Sequence, residues 1–184
     1  MNVIKTDIKG VVIIEPKLFK DNRGYFYESF NVKEFNDKVA SVNFVQDNES
    51  KSSYGVLRGI HYQKGEYSQA KLVRVVKGKV LDIAVDLRKD SPTYGQWTGV
   101  VLSARNKKQF FLPRGMGHAF VVLSKTAVFQ YKCDNFYCKE SEGGIAWNDP
   151  TLNIDWKIPE KDIILSEKDK CHKTFEQYKH NPDF

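Results

Sequence analysis

Short β-rich runs separated by turn residues constrain the fold of this chain more than any other feature. Lys71–Val76 and Val80–Leu87 are rich in β-branched and apolar residues, and Lys77-Gly78-Lys79 between them is typical of a hairpin turn. Many short strands with almost no helix between them indicate an all-β sandwich or barrel. At 184 residues, and with no repeat or linker, a single domain over residues 1–184 is expected. Further runs of this kind are Val11–Glu15, Tyr25–Phe30, Phe44–Ser50, Gly55–Gln63, Trp97–Leu102, Gln109–Leu112, His118–Leu123 and Ala127–Cys133.

Helix signals occur at two places. Asn31 followed by Glu34 has the spacing of a capping pair, and Phe35 and Val39 then lie at helical spacing, which predicts a helix over Val32–Ala40. The charged segment from Ser166 to about Tyr178 is also predicted to be helical.

Composition and charge exclude several classes of protein. The net charge is +6, but the lysines are scattered and form no block or helical stripe, so a nucleic-acid partner is not expected. No apolar run approaches the length of a membrane span, and the N-terminus lacks the apolar core of a signal peptide. Three cysteines at irregular spacing fit neither a disulfide framework nor a zinc site. Free thiols in the reducing cytoplasm are the resulting expectation.

The run Gly55–Gln63 places Arg58 and His61 in an otherwise apolar strand. An unpaired buried charge is costly, so this strand is either solvated on one face or lines a polar cavity. Strict alternation sends residues three apart to opposite faces. Both side chains can reach one ligand only if the strand bends or bulges, and Gly59 is where that costs least.

Other candidate residues each have an ordinary structural interpretation when taken singly. His118 begins an apolar strand, Lys71 begins another with Val73 and Val75 on its face, and Tyr131 lies within a strand. A metal site is disfavoured, because the position two after His61 is Gln63 and no His-x-His cluster is present. General-base chemistry therefore suits His61 better. The two remaining histidines, His172 and His180, are expected to be surface groups.

Four sequence blocks, in order and spacing, give the chain a resemblance to the dTDP-4-dehydrorhamnose 3,5-epimerase family over essentially its full length. The blocks are Asp21–Glu28; Gln46–Asn48 with Gly55–Gln63; Lys71–Gly78 with Asp82 and Val85–Arg88; and Pro113–Phe120 with Tyr131, Tyr137, Glu140–Gly144, Trp147–Pro150 and Leu165–Asp169. The resemblance implies a cupin-like jelly-roll β-barrel with a few short peripheral helices. It also implies a homodimer that acts without metal or organic cofactor.

The implied reaction inverts C3 and C5 of dTDP-4-dehydro-6-deoxy-D-glucose to give dTDP-4-dehydro-L-rhamnose, a step of dTDP-L-rhamnose biosynthesis that feeds polysaccharide synthesis. By resemblance His61 is the base and Asp169 its partner. Lys71 faces the C4 oxygen, and Tyr131 is the acid on the opposite face. The implied substrate-binding residues are Arg23, Phe26, Glu28, Gln46, Asn48, Arg58, His118, Tyr137, Glu142 and Lys168.

The family usually contributes its Arg23–Glu28 block across the dimer. The chain departs from the usual pattern in the loop Lys64–Gln69, which lacks prolines, and at Cys138-Lys139 after Tyr137. Alternatives to the double epimerase are a mono-epimerase acting at C3 or C5 only and an epimerase of another nucleotide-linked 4-keto sugar. The joint presence of the four catalytic candidates argues against a non-catalytic sugar-nucleotide-binding cupin. The missing ligand cluster argues against a metal-dependent cupin oxygenase.

Overall fold

The computed structural model describes residues 1–184 as thirteen strands and two short α-helices. Four single turns of 3-10 helix lie at Gly65–Tyr67, Lys139–Ser141, Glu160–Asp162 and Asp169–Cys171. No helix is long and apolar enough to cross a membrane. The elements are β1 Asn2–Lys5, β2 Val12–Glu15, β3 Phe19–Asp21, β4 Gly24–Phe26, α1 Val32–Lys38, β5 Gln46–Ser53, β6 Leu57–Gln63, β7 Lys71–Lys77, β8 Lys79–Asp86, β9 Trp97–Ser103, β10 Gln109–Leu112, β11 Met116–Val122, β12 Thr126–Cys133, β13 Glu142–Gly144 and α2 Phe175–His180.

Two antiparallel sheets form a sandwich. One has six strands in the order β1-β2-β10-β7-β12-β5, and the other has five in the order β13-β6-β11-β8-β9. A separate hairpin of β3 and β4 stands apart from both sheets. The predicted all-β jelly roll is confirmed, as two open sheets rather than a closed barrel. The hairpin between β7 and β8 turns at Gly78, whose φ of +80° favours glycine.

The space between the sheets is filled by side chains that alternate along the strands. Val73 and Val75 of β7 pack there with Phe110, Phe120 and Phe129 from three other strands, all almost fully buried. Burying one such side chain contributes about 1.5–3 kcal/mol relative to leaving it exposed. This apolar packing holds the two sheets at a fixed separation, so polar side chains on the same faces have fixed positions.

Each sheet is also covered on its outer face. Helix α1 packs Phe35 against the six-stranded sheet, and Asn31 caps the helix by accepting a hydrogen bond from the Glu34 backbone N–H at 3.1 Å, as predicted. The C-terminal segment covers the five-stranded sheet with Trp156, Phe175 and Tyr178.

The prediction of a helix from Ser166 to Tyr178 is wrong in its first half. The chain makes only one 3-10 turn at Asp169–Cys171, then runs extended beside β13 until Thr174 caps α2. Its extended part is fixed by the backbone of Ala146, whose N–H donates to the Lys173 carbonyl at 2.8 Å. Sheet contacts thus outweigh local helix propensity, and they hold the Asp169 turn against β6.

Two strand boundaries differ from prediction because aromatic packing competes with strand pairing. β4 ends at Phe26 rather than Phe30, and β5 begins at Gln46 rather than Phe44. Phe30 and Phe44 instead pack edge-to-face at 5.4 Å, beside Phe35.

β6 is irregular at the predicted point. His61 lies opposite His118 of β11, and Arg58 lies opposite Phe120, with a register shift between the two pairs. Gly59 at the shift has a φ of +133°, and a Cβ there would overlap the backbone of Ala119. Directly opposed residues of an antiparallel pair share a face, so Arg58 and His61 both point between the sheets.

Candidate active site

Polar side chains from five strands converge in the otherwise apolar space between the sheets. β6 supplies Arg58 and His61 opposite inward-facing residues of β11, and Gln46 and Asn48 of β5 lie opposite Cys133 and Tyr131. Asn48 contacts the Cys133 sulfur, and Arg58 donates from Nε to the Ser52 hydroxyl at 3.2 Å. Arg58 and His61 thus face the opposing sheet, as the cavity alternative requires, and both side chains remain open to solvent.

His61 is hydrogen-bonded through Nε2 to Oδ1 of Asp169, which lies in the 3-10 turn of the C-terminal segment. The Asp169 side chain is only 3% exposed, whereas His61 is 37% exposed toward the cavity. Burial tends to raise the pKa of Asp169, but contacts with His172, His61 and Ser166 outweigh it and hold that pKa well below the usual range. An ionised carboxylate only accepts hydrogen bonds, so His61 donates from Nε2, and Nδ1 of the neutral ring is left as a proton acceptor.

The protonation state of His61 suits a general base. Burial lowers its pKa, and Asp169 opposes that shift only in part. The imidazole is therefore neutral at neutral pH, with its ring oriented by a carboxylate, as in other acid–base catalysts.

Lys71 and Tyr131 lie on the opposing six-stranded sheet. Lys71 Nζ is 6.0 Å from the centre of the Tyr131 ring. Burial lowers the pKa of Lys71 and raises the pKa of Tyr131. Tyr131 is thus a protonated phenol at neutral pH, able to donate a proton from the wall facing β6.

His118 is bonded to a buried carboxylate deeper between the sheets. Its Nε2 lies 3.1 and 3.2 Å from the two carboxylate oxygens of Asp82, which is fully buried. Burial raises the pKa of Asp82, and the neighbouring His118 and Lys71 oppose that shift. His118 was predicted as a nucleotide ligand; the structure places it beside His61 with Asp82 as its partner. No role for Asp82 was predicted from the sequence.

Three further candidates form the rim of the cavity. Glu142 of β13 pairs with Lys168, which directly precedes Asp169, and it also contacts the Tyr137 hydroxyl. The Tyr137 ring is half exposed, and its backbone N–H donates to the Gln46 side chain at 3.2 Å. The rim is thereby connected to β5 and to the turn that carries Asp169.

One block of predicted binding residues is not brought to this cavity within a single chain. Arg23 and Phe26 belong to the exposed β3–β4 hairpin, where Arg23 pairs with Asp21 at 2.6 Å. Glu28 accepts a hydrogen bond from Asn31 ahead of α1. Nearby Tyr27 accepts from Arg74, which alternates with inward-facing Val73 and therefore lies on the outer face of β7.

His172 was predicted to be a surface group, and that prediction is wrong. Its side chain is 11% exposed, and its Nε2 lies 3.4 Å from the same Asp169 oxygen that binds His61. The two imidazole rings meet edge-to-face with their centres 5.4 Å apart. The only sequence signal was the spacing, because residues three apart in one helical turn share a side.

The nitrogen and oxygen atoms of His61, Asp169 and His172 that could bind a metal all lie within 4.8 Å of one another. Two imidazoles and a carboxylate are chemically suited to a transition metal. Because His61 and Asp169 bond each other directly, an ion would have to replace that hydrogen bond. Action without a metal stays a prediction.

Comparison with known proteins shows the family of this chain. The family model for dTDP-4-dehydrorhamnose 3,5-epimerase matches residues 5–177. The enzyme of that name from Shigella flexneri is 57% identical over 170 residues, covering 92% of this chain and 93% of the relative. The crystal structure of the Elizabethkingia anophelis enzyme is 59% identical, with a TM-score of 0.93 and coverage of 96% of this chain and 97% of that one.

A second solved structure carries a ligand. The dTDP-6-deoxy-D-glucose-3,5-epimerase of Legionella pneumophila, in complex with dTDP-4-keto-L-rhamnose, is 50% identical with a TM-score of 0.91, covering 95% of this chain and 93% of that one. The match spans nearly the whole of both chains. The chain therefore belongs to the dTDP-4-dehydrorhamnose 3,5-epimerase family.

Proposed function

We propose that this protein is an isomerase that converts dTDP-4-dehydro-6-deoxy-D-glucose to dTDP-4-dehydro-L-rhamnose by inverting C3 and C5. The observation that carries the proposal is that His61 of the five-stranded sheet, bonded to Asp169 of the C-terminal segment, faces Lys71 and Tyr131 of the six-stranded sheet. Family membership and the names of the relatives support the same reaction.

The substrate chemistry explains why these residue types are needed. The hydrogens on C3 and C5 are both α to the C4 ketone, so removing either proton gives an enolate whose charge lies largely on the C4 oxygen. Nδ1 of His61 takes the proton, and the Asp169 carboxylate stabilises the imidazolium that forms. Lys71 lies where a cation can stabilise the enolate oxygen.

Inversion requires the proton to return from the other face. Tyr131 is the donor, because its phenol is protonated and projects from the sheet opposite His61. Lys71 beside the ring stabilises the phenolate left behind until a proton from solvent restores it. The net change is one proton removed and one returned at each carbon, which requires no redox cofactor or metal.

The remaining candidates suit the nucleotide. Arg58 is a guanidinium at the cavity wall and can bind a diphosphate bidentately. Tyr137 offers a half-exposed ring for stacking on the base, beside Glu142 and Lys168. Gln46 and Asn48 supply amide groups, and His118 an imidazole, as further hydrogen-bonding partners in the cavity.

We further propose that the protein is a homodimer in which the hairpin block Arg23, Phe26 and Glu28 completes the partner's site. Phe19, Tyr25 and Phe26 of the hairpin are between 53% and 67% exposed. A cluster of exposed apolar side chains of this kind is typical of a surface that contacts another protein. Beside the hairpin, a groove of about 530 Å³ lies on the outer face of the six-stranded sheet. It is lined by Phe30 and by mostly polar residues, among them Arg74 and Gln130. The three cysteines of the protein are free thiols, which favours a reducing compartment, and we propose the cytoplasm.

The test is solvent exchange at the two carbons. The protein is incubated with dTDP-4-dehydro-6-deoxyglucose in deuterated water, and deuterium at C3 and C5 is followed by NMR and mass spectrometry. Label at both carbons with formation of the L-rhamno product is expected. Label at one carbon alone would replace the proposal with a mono-epimerase, and no label with dTDP bound would exclude an epimerase.

His61→Ala is expected to slow exchange at both carbons by about a thousandfold, within the range for loss of a general base. Binding of dTDP should stay near that of the unsubstituted protein, because His61 is assigned to the sugar rather than the nucleotide. His180→Ala, at an exposed histidine of α2, is the matched control and should leave exchange unchanged. Loss of dTDP binding in His61→Ala would mean that His61 has a structural role.

A further inference from the structure

His172 shares a carboxylate with the proposed catalytic base. Its Nε2 lies 3.4 Å from Asp169 Oδ1, the oxygen that accepts the hydrogen bond of His61. Nε2 is buried and makes no hydrogen bond, so the Asp169 carboxylate is its nearest charged neighbour without being a hydrogen-bond partner. A buried polar group without a hydrogen-bond partner is costly, so an imidazole held this close to the Asp169 oxygen needs an explanation.

The His172 ring is held from two sides. It meets the His61 ring edge-to-face at an interplanar angle of 76°. It also fills the space above Gly144, where a Cβ would overlap the imidazole. Gly144 lies opposite His61 across the β13–β6 pair, so glycine at this position is what allows His172 to reach the His61 face.

The backbone on both sides of His172 is fixed as well. The Cys171 N–H donates to the Lys168 carbonyl at 3.1 Å, and the Lys173 carbonyl accepts from Ala146 at 2.8 Å. Asp169 itself donates its backbone N–H to the Ser166 hydroxyl. The backbone that carries the ring is therefore held beside Asp169, and the packing against His61 and Gly144 limits where the ring itself can lie.

We propose that His172 is a positioning residue that holds the Asp169 carboxylate in place for His61 and limits how strongly that carboxylate attracts a proton to His61. This inference rests on the proposed function. A base that takes a proton at two carbons in each turnover must return to its neutral form twice. A carboxylate shared between two imidazoles favours that return, because each draws on the same negative charge.

The charges around His61 support this direction. The groups that face it are Asp169 and His172 from the C-terminal segment, Lys71 from β7, Glu142 from β13 and His118 from β11. Of these, burial aside, Asp169 raises the pKa of His61, whereas Lys71 and His172 lower it. Removing His172 is therefore expected to raise the pKa of the base.

The test compares His172→Phe, His172→Gln and the exposed control His180→Phe in steady-state kinetics across pH. His172→Phe keeps a ring over Gly144 but removes the nitrogen. We expect kcat to fall about tenfold, because the Asp169 carboxylate loses a polar neighbour that orients it, with KM unchanged. The acid limb of the kcat profile should move to higher pH. His172→Gln, which keeps an N–H donor, should recover most of kcat.

The outcome that overturns the inference is a folded His172→Phe protein with the kcat and acid limb of the unsubstituted enzyme. If that variant does not fold, Gly144→Ala displaces the ring from the other side, and unchanged kinetics there would also overturn the inference. Absence of turnover in the unsubstituted protein would instead contradict the proposed function, so the two failures are distinguishable.

Discussion

At the scale of single residues, burial and hydrogen bonding set the chemistry of the cavity. The same burial that lowers the pKa of His61 raises that of Tyr131. One residue is thereby kept ready to accept a proton and the other to donate one, from opposing sheets. Asp169 stays ionised because its hydrogen bonds outweigh its burial. The division into base and acid thus follows from where the fold places each side chain.

Asp169→Asn tests this account through a shift of opposite sign to that expected for His172→Phe. Asp169 raises the pKa of His61, so replacing it by a neutral amide should lower that pKa and move the acid limb of the kcat profile to lower pH. The value of kcat itself should fall by about a hundredfold or more, because the imidazolium loses its counter-ion. pH-dependent kinetics measure both effects. An acid limb that moves to higher pH, or does not move, would contradict the assignment of Asp169 as the partner of His61.

At the scale of elements, the irregularity of β6 places the base. Leu57 and Ile60 pack into the outer core while Arg58 and His61 point inward, an arrangement that a regular strand does not allow. The register shift at Gly59 is therefore part of the site as well as of the sheet.

Gly59→Ala should reduce the free energy of unfolding by about 3 kcal/mol, because the new Cβ would overlap Ala119 and the φ of +133° disfavours any side chain. Gly24→Ala is a matched control, since Gly24 has a φ of +135° with nothing near its would-be Cβ, and its cost should be about 1 kcal/mol. Urea unfolding of both variants measures the difference. Equal costs would mean that close packing against β11 does not require glycine at position 59.

The sequence predicted the elements whose signal is local and missed those that depend on distant contacts. β7 and β8 follow from alternation and a glycine turn, and α1 from its cap. The bend at Gly59 was predictable because two polar residues three apart needed one face. The extended run before α2 was not, since it is held by Ile145 and Ala146 at the end of β13 rather than by its own sequence.

Within the site the same distinction applies. Family resemblance identified His61, Lys71, Tyr131 and Asp169, and the fold brings all four to one cavity. Neither the buried partnership of His118 with Asp82 nor the contact of His172 with Asp169 has a local signature. His118 and Asp82 lie on separate strands, and the contact of His172 with Asp169 depends on a backbone path that helix propensity did not predict.

At the scale of the whole molecule, the cavity of one chain is lined by only part of the predicted binding residues of that chain. Arg23 and Phe26 project on a hairpin whose apolar side chains are exposed, on the outer side of the sheet from the cavity. A two-fold dimer would bring the hairpin of each subunit to the site of the other, because a two-fold interface uses the same surface on both subunits. Sites shared in this way make activity a property of the dimer.

Mixing two variants tests whether sites are shared, and each is expected to be inactive alone because one lacks the base and the other lacks a substrate-binding arginine. In a mixed dimer of His61→Ala and Arg23→Ala chains, the site with an intact His61 receives its Arg23 from the other chain, so one of the two sites is complete. After unfolding and refolding together at equal concentration, random pairing should restore about a quarter of the unsubstituted activity. If Arg23 acted within its own chain, both sites of a mixed dimer would carry a defect and no activity would return.

Light scattering of the refolded mixture establishes that dimers have formed. The mixed-dimer result then decides whether the hairpin serves the partner's site, because only sharing converts two inactive chains into one working site.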